Sequence, residues 1–316
     1  MVGAIALVVL GLALLTAGAD RFVLAAARLA RVWGLSPILI GALVVGMGTS
    51  APEFLVSVVA AAGGGLDLAV GNVIGSNVAN LSLVLGATAL VSPVADHIKT
   101  LRREGLLMLA AVLLLVIVAW DRSLTVTEGV ILVFAMVGAA LFLVGWARAD
   151  TEGAGRVNAE LDQMTFDSGR ANPRFEIMIG IVALLATLGG AEALVRGAQE
   201  IARQLDLSEG FVGLTLVAFG TSLPELATAL AAARRNENDL VVGNLLGSNL
   251  FNSLAVAGGA ALVGGGALVS GFRTGLLFML GVAAFAGVLT ATGNKLVRWE
   301  GLTLLAVYAA FVATSF

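Results

Sequence analysis

The sequence predicts an all-α polytopic membrane protein of ten transmembrane helices, arranged as two inverted five-helix repeats. Three observations predict it. The 316 residues are 59% hydrophobic and 12% charged, with a mean hydropathy of +1.00, whereas a soluble domain carries roughly 25% charged residues. The apolar residues fall in runs of about 20, the length that crosses a hydrocarbon core as helix. The chain also repeats itself: at an offset of 172 residues, 41–90 align with 213–262 without a gap, and 22 of the 50 positions are identical.

Taken in order, the apolar spans are 3–27, 36–61, 67–91, 104–119, 125–146, 174–201, 209–233, 239–263, 273–291 and 299–315. The first could be taken for a cleaved leader, since it is apolar and ends in small residues. It lacks the basic segment such a leader carries, and its Gly18-Ala19-Asp20 has an interior counterpart in Gly190-Ala191-Glu192. We therefore read it as the first span. Residues 147–173 form the most polar connection, with Arg148, Asp150, Glu152, Arg156, Glu160, Asp162, Asp167 and Arg170. They read as a cytoplasmic linker between a first repeat, 1–146, and a second, 174–316. Five spans per half is an odd number, so the second half enters the membrane inverted, the organisation of many secondary transporters.

Orientation follows from the basic residues. With the N-terminus outside, 14 of the 18 Lys and Arg face the cytoplasm, against Arg122, Arg196, Arg203 and Arg273 outside, as the positive-inside rule favours. Trp33, Trp120, Trp146 and Trp299 lie at span ends, where an amphipathic ring suits the interface. Forty glycines suit close helix packing in lipid. No cysteine is present, which excludes disulfides, thiolate metal sites and thiol chemistry. The net charge of -3, with scattered basic residues, gives no footprint for nucleic acid.

The chemistry concentrates in Gly46-Met47-Gly48-Thr49-Ser50-Ala51-Pro52-Glu53 and its echo, Ala218-Phe219-Gly220-Thr221-Ser222-Leu223-Pro224-Glu225. Pro52 and Pro224 lack an N–H, so each frees a carbonyl one turn back, at Gly48 and Gly220. Freed backbone at membrane depth is tolerated only inside protein or along a cavity. Ser50 with Glu53, and Ser222 with Glu225, also fit the capping-box pattern for restarting a helix. Two roles are thus open to the glutamates, helix cap or functional carboxylate. The cost of an ionisable group in a membrane span favours the second.

The third and eighth spans add Asn72, Ser76 and Asn80, and again Asn244, Ser248 and Asn252, each trio at i, i+4, i+8 on one helical face. For Asn72, Asn77, Asn244 and Asn249, interhelical hydrogen bonding is an equal alternative to ligation. Asn80 and Asn252 lie deeper and read as ligands. The set is all oxygen, and the single histidine, His97, falls in a connection. Six to eight flexible oxygens suit Ca²⁺ better than Mg²⁺. Two ionised glutamates would be neutralised by one Ca²⁺, and equally by two Na⁺ or two protons; mutual exclusion between such occupants produces exchange.

Those paired motifs, G-x-G-T-S-A-P-E with G-N-x-I-G-S-N-x-x-N and F-G-T-S-L-P-E with G-N-L-L-G-S-N-L-F-N, resemble the Ca²⁺/cation antiporter superfamily, and within it the sodium/calcium exchangers of bacteria and archaea. The resemblance covers nearly the whole chain. It implies ten helices with cation positions between the second, third, seventh and eighth, and helices 1 and 6 sliding as a pair. By position, Glu53 and Glu225 look like the carboxylates shared by Ca²⁺ and Na⁺. Thr49, Ser50, Ser76, Thr221, Ser222 and Ser248 look like hydroxyl or carbonyl ligands, and the carbonyls of Gly46 and Ala218 like outlying Na⁺ ligands. One departure stands out: many relatives carry aspartate where this chain has Asn252, and potassium-dependent ones carry a second.

The function expected is therefore secondary antiport of Na⁺ against Ca²⁺, exporting Ca²⁺ across a prokaryotic plasma (inner) membrane. H⁺/Ca²⁺ antiport is the alternative, and a cation channel a more distant one. No enzymatic activity, cofactor or obligate protein partner is expected; the partners are Ca²⁺, Na⁺ and the bilayer.

Overall fold

The computed structural model describes residues 2–95, 98–149, 172–204, 218–268, 272–292 and 295–314. Within them the chain is all-α. Extended backbone is confined to two antiparallel ladders of two residues a strand, Val94–Ala95 with Lys295–Leu296 and Ser123–Leu124 with Gly266–Ala267. Most of the expected linker, His97 and the start of the expected span 209–233 lie outside the described residues.

Among the described residues, six helices are long and apolar enough to cross a membrane, or seven if Pro37–Thr49 and Ala51–Ala62 are one bent span. Their burial separates two roles. The spans Leu66–Val91 and Asn238–Gly264 are 78% and 89% buried, while Val2–Ala30, Val126–Ala147, Pro173–Ile201 and Phe272–Thr290 are 22–33% buried. On Val126–Ala149 the side chains of Val130, Ile131, Phe134, Val137, Leu141 and Phe142 are exposed. An apolar face of that size suits hydrocarbon rather than water.

The chain packs as two compact units. The first comprises residues 1–49 and 142–244, the second 50–141 and 245–316. In the first unit the helices Val2–Trp33 and Pro173–Gln204, each 32 residues or about 48 Å long, cross through small residues. A Cβ on Gly11 would lie 2.5 Å from the backbone nitrogen of Leu194, and one on Gly18 2.7 Å from that of Thr187. A Cβ on Gly190 would meet the backbone nitrogen of Leu15 and lie 2.8 Å from the Gly11 carbonyl. Backbone contact this close is open only to glycine, and it supplies the dispersion that holds helices together in lipid. Arg28 and Glu176 tie the pair by an ion pair of 3.0 Å.

Helix Leu223–Arg234 packs beside this pair through Leu223, Leu226 and Ala227 against Leu15, Ala191, Leu194 and Val195. Just beyond its end, Arg235 grips Asp20 with three hydrogen bonds of 2.7–2.9 Å. A second close crossing sets Gly41 2.9 Å, measured from an added Cβ, from the Leu240 carbonyl.

The second unit is organised around the hairpin of Ala51–Ala62 and Leu66–Ala79. Its turn is Gly63-Gly64-Gly65, with Gly64 at φ +86°, a conformation glycine adopts without strain. A Cβ on Gly264 would meet the Ala61 carbonyl, one on Gly129 would lie 2.9 Å from the Gly258 carbonyl, and one on Gly86 2.8 Å from the Gly301 carbonyl. Val126–Ala149 begins in a formed capping box: Glu128 Oε2 accepts from the Thr125 backbone N–H at 2.6 Å, and Thr125 Oγ1 accepts from the Glu128 N–H at 3.4 Å.

Gly190→Ala is expected to destabilise the protein by about 1–3 kcal/mol, because the methyl group strikes backbone rather than a movable side chain. Gly138→Ala, where a Cβ meets nothing within 4 Å, is expected to be neutral. Thermal unfolding of the two variants in detergent checks the contrast.

Candidate cation-binding site

The helix breaks where the prolines predict, and it breaks the same way twice. Ser50 has φ -83° and ψ 9°, and Ser222 has φ -88° and ψ 3°. Both lie in the bridge region rather than the α basin. Ala51–Ala62 and Leu223–Arg234 restart from these residues, and each carries its proline in the first turn, where the missing N–H removes no hydrogen bond. The first backbone bonds of the new helices run from Phe54 to the Ser50 carbonyl and from Leu226 to the Ser222 carbonyl, both at 3.1 Å.

Glu53 and Glu225 fall in these first turns, at the partially positive end of a helix. Each is 1% exposed. Neither break contains a capping box, because neither Ser50 nor Ser222 makes a side-chain cap hydrogen bond. The motif that forms at Thr125 and Glu128 therefore does not form here.

The motif residues divide between the units. The first holds Gly46, Thr49, Ala218, Thr221, Ser222 and Glu225; the second holds Ser50, Glu53, Ser76, Asn80, Ser248 and Asn252. Thr49, Ser50, Ser76, Ser222, Ser248, Asn80 and Asn252 are all buried, Gly46 is buried, and Thr221 is half-buried. For Ala218 the structure describes the helical backbone, not the side-chain environment. Thr49 Oγ1 lies 3.0 Å from the Val45 carbonyl, 3.3 Å from that of Gly46 and 3.4 Å from Asn244 Oδ1.

The asparagines separate cleanly by their partners. Asn77 Nδ2 donates to Ser253 Oγ at 2.9 Å and lies 3.3 Å from the Met279 sulfur, and Asn249 Nδ2 donates to the Leu245 carbonyl at 2.7 Å. Asn72 Nδ2 donates to Ser57 Oγ at 3.0 Å and reaches the Glu53 carbonyl at 3.4 Å; Asn244 Nδ2 donates to Thr228 Oγ1 at 3.3 Å. Asn72, Asn77 and Asn244 thus join helices and Asn249 bonds within its own, while the side-chain oxygens of Asn77 and Asn249 find no partner among the described residues. Asn80 and Asn252 do neither: they are 1% and 0% exposed, and among the described residues neither the nitrogen nor the oxygen of either amide has a hydrogen-bond partner. A buried amide left unsatisfied costs about 1–3 kcal/mol per group.

Asn80 and Asn252 also open π-helical segments, Asn80–Val84 and Asn252–Val256, and a third such segment, Gly41–Gly46, leads into Thr49. Wide turns of this kind recur at functional sites, since the altered ladder re-aims side chains and carbonyls. Hydropathy and motif spacing do not register them. Sequence reasoning also missed Ser57 and Thr228, the hydroxyls behind the glutamates. Their signal was a small polar residue three or four positions after each glutamate, on its helical face.

Buried carboxylates, amides, hydroxyls and interrupted helices inside apolar spans define a membrane protein that handles a hard cation. The comparisons agree with that class. The sequence profile of the family described as sodium/calcium exchanger protein matches residues 3–145 and 175–316. The inner membrane protein YrbG of Escherichia coli is 41% identical over 264 residues, covering 83% of this chain and 80% of its own length. The sodium/calcium exchanger MaX1 of Methanosarcina acetivorans is 31% identical, covering 98% and 97%. A crystallised sodium–calcium exchanger, NCX_Mj, superposes with a TM-score of 0.84 at 33% identity, covering 99% of each chain. The chain belongs to the sodium/calcium exchanger family, and so to the cation/Ca²⁺ antiporters of membranes.

Asn77→Ala is expected to lower stability by about 0.6–2 kcal/mol, the range for interhelical polar contacts in membrane proteins. Asn80→Ala and Asn252→Ala, whose amides hold nothing, are expected to leave ion-free stability unchanged or raised. Thermal unfolding in ion-free buffer distinguishes the two kinds of asparagine.

Proposed function

We propose that this protein is a Na⁺/Ca²⁺ antiporter in which Glu53 and Glu225 together hold one Ca²⁺ or the Na⁺ ions that replace it. The observation that carries the reading is the pair of buried amides, Asn80 and Asn252, at equivalent positions of the two halves and without a hydrogen-bond partner among the described residues. A cation would give the amide oxygens the partner that an apolar interior does not. Thr49, Ser50, Ser76, Thr221, Ser222 and Ser248 contribute hydroxyl or carbonyl oxygens, and the carbonyls of Gly46 and Ala218 serve outlying Na⁺. The names of MaX1 and NCX_Mj as sodium–calcium exchangers support Na⁺ as the driving ion.

In this reading the halves 1–146 and 174–316 are inverted repeats of five spans each, joined by a cytoplasmic linker at 147–173, with the N-terminus outside. The protein resides in a prokaryotic plasma membrane, and inward Na⁺ drives Ca²⁺ out without any cofactor. Neutral amides at 80 and 252 leave the site with the two glutamate charges. Ca²⁺ or two Na⁺ balance these, and a third Na⁺ would make each turnover carry net charge.

Ca²⁺ flux in proteoliposomes, with Na⁺ and pH gradients imposed separately, tests the reading. Uptake is expected with an outward Na⁺ gradient alone; uptake driven by a pH gradient without Na⁺ would replace it with H⁺/Ca²⁺ antiport. Glu53→Gln and Glu225→Gln are each expected to lower Ca²⁺ flux at least a hundredfold in folded protein, since each removes half the site charge. Transport retained in both would remove the glutamates from the site.

A further inference from the structure

We propose that Thr228 is a positioning residue: its hydroxyl, oriented by Asn244, fixes the main chain of Glu225 as Ser57 and Asn72 fix that of Glu53. The inference rests on the reading of Glu225 as a cation ligand.

In the first half, Asn72 Nδ2 bonds Ser57 Oγ and reaches the Glu53 carbonyl, while Ser57 Oγ donates to the Ala69 carbonyl at 3.3 Å. The glutamate helix is thereby sewn to Leu66–Ala79, the helix that bears Asn72. The second half does not copy this. The repeat counterpart of Ser57 is Ala229, and that of Thr228 is Val56, an exposed side chain. The hydroxyl has moved by one residue, yet it meets the counterpart asparagine.

The move changes the wiring. Thr228 Oγ1 lies 2.8 Å from the Pro224 carbonyl and 3.0 Å from the Glu225 carbonyl, and it accepts from Asn244 Nδ2 at 3.3 Å. A hydroxyl has one proton. With Asn244 donating to its oxygen, that proton turns to the two carbonyls at the start of the glutamate's helix. Asn244 Oδ1 in turn lies 3.4 Å from Thr49 Oγ1. From Asn244 the bonds run in one direction, through Thr228 to the carbonyls of Pro224 and Glu225, while the Thr49 hydroxyl has nearer acceptors in the Val45 and Gly46 carbonyls. Thr49, Asn244 and Thr228 are each at most 1% exposed, so water does not compete for these groups. A carboxylate that must meet an ion within about half an ångström needs its main chain held in this way.

Thr228→Val keeps the shape and removes the hydroxyl. Ca²⁺-dependent flux in proteoliposomes is expected to show half-saturation raised roughly fivefold to tenfold, the scale of one lost hydrogen bond with a stranded amide, with maximal rate within about twofold. Thr228→Ser is expected to keep the wild-type half-saturation. Thr228→Val with Ala229→Ser, which puts the hydroxyl where the first half has Ser57, is expected to recover it. Unchanged half-saturation in Thr228→Val, an equal rise in Thr228→Ser, or no recovery in the double variant would each overturn the proposal. So would a loss confined to ion-free thermal stability. Glu225→Gln, measured alongside by Ca²⁺-induced thermal shift, separates the two levels. If it binds Ca²⁺ as the wild type does, the site reading fails; if it loses Ca²⁺ while Thr228→Val binds normally, only the positioning role fails.

Discussion

A carboxylate in the interior of an apolar helical protein is the constraint on which the rest depends. Burying an ionised group costs several kcal/mol unless something compensates, and this chain buries two, Glu53 and Glu225, to 1% exposure. Each is placed in the first turn of a helix restarted by a proline-bearing motif, so the helix end offers a partial positive charge. The motif residues that accompany them in the sequence, Thr49, Ser50, Ser76, Asn80, Thr221, Ser222, Ser248 and Asn252, carry hydroxyls and amides rather than basic side chains. In the proposed reading that choice leaves room for a mobile cation: a lysine or arginine would neutralise the site permanently, whereas the neutral amides of Asn80 and Asn252 would solvate an ion without replacing it.

The same constraint explains the packing. Interrupted helices need their loosened backbone buried, and the most buried spans, Leu66–Val91 and Asn238–Gly264, are those that carry Asn80 and Asn252. Other helices carry broad apolar faces, and glycine lets backbones touch where helices cross within each unit. Within the first unit, Gly11, Gly18 and Gly190 bring Val2–Trp33 and Pro173–Gln204 together along much of their length. Asp20 on one of that pair is gripped by Arg235. Its repeat counterpart Glu192 instead bonds Arg196 on its own helix at 2.5 Å. The halves share their breaks to within a few degrees but differ in the contacts that brace them.

That difference marks the limit of what the sequence makes legible. Hydropathy locates the spans because lipid imposes length and apolarity on each independently. The two breaks are legible because proline removes a specific N–H and a neighbouring glutamate has a cost that demands a reason. Asn80 and Asn252 are legible because they repeat at 172 residues and lie deeper in their spans than the other repeated asparagines. The braces are not. Ser57 and Thr228 occupy non-equivalent positions, so the comparison of halves that points to the proposed ligands conceals these hydroxyls. Arg235 and Asp20 are 215 residues apart, and no local pattern joins them. The π-helical segments depend on one extra residue in a turn, set by packing rather than by composition.

The account's central claim is that one set of carboxylates serves both ions, so that Ca²⁺ and Na⁺ exclude each other. Equilibrium binding of radioactive Ca²⁺ to the purified protein, titrated with Na⁺ at constant ionic strength, tests it most directly. The account predicts one Ca²⁺ per chain, with an apparent dissociation constant that rises without limit as Na⁺ is added. Ca²⁺ that stays bound at saturating Na⁺, with an affinity that reaches a plateau, would show that the two ions occupy separate sites and would contradict it.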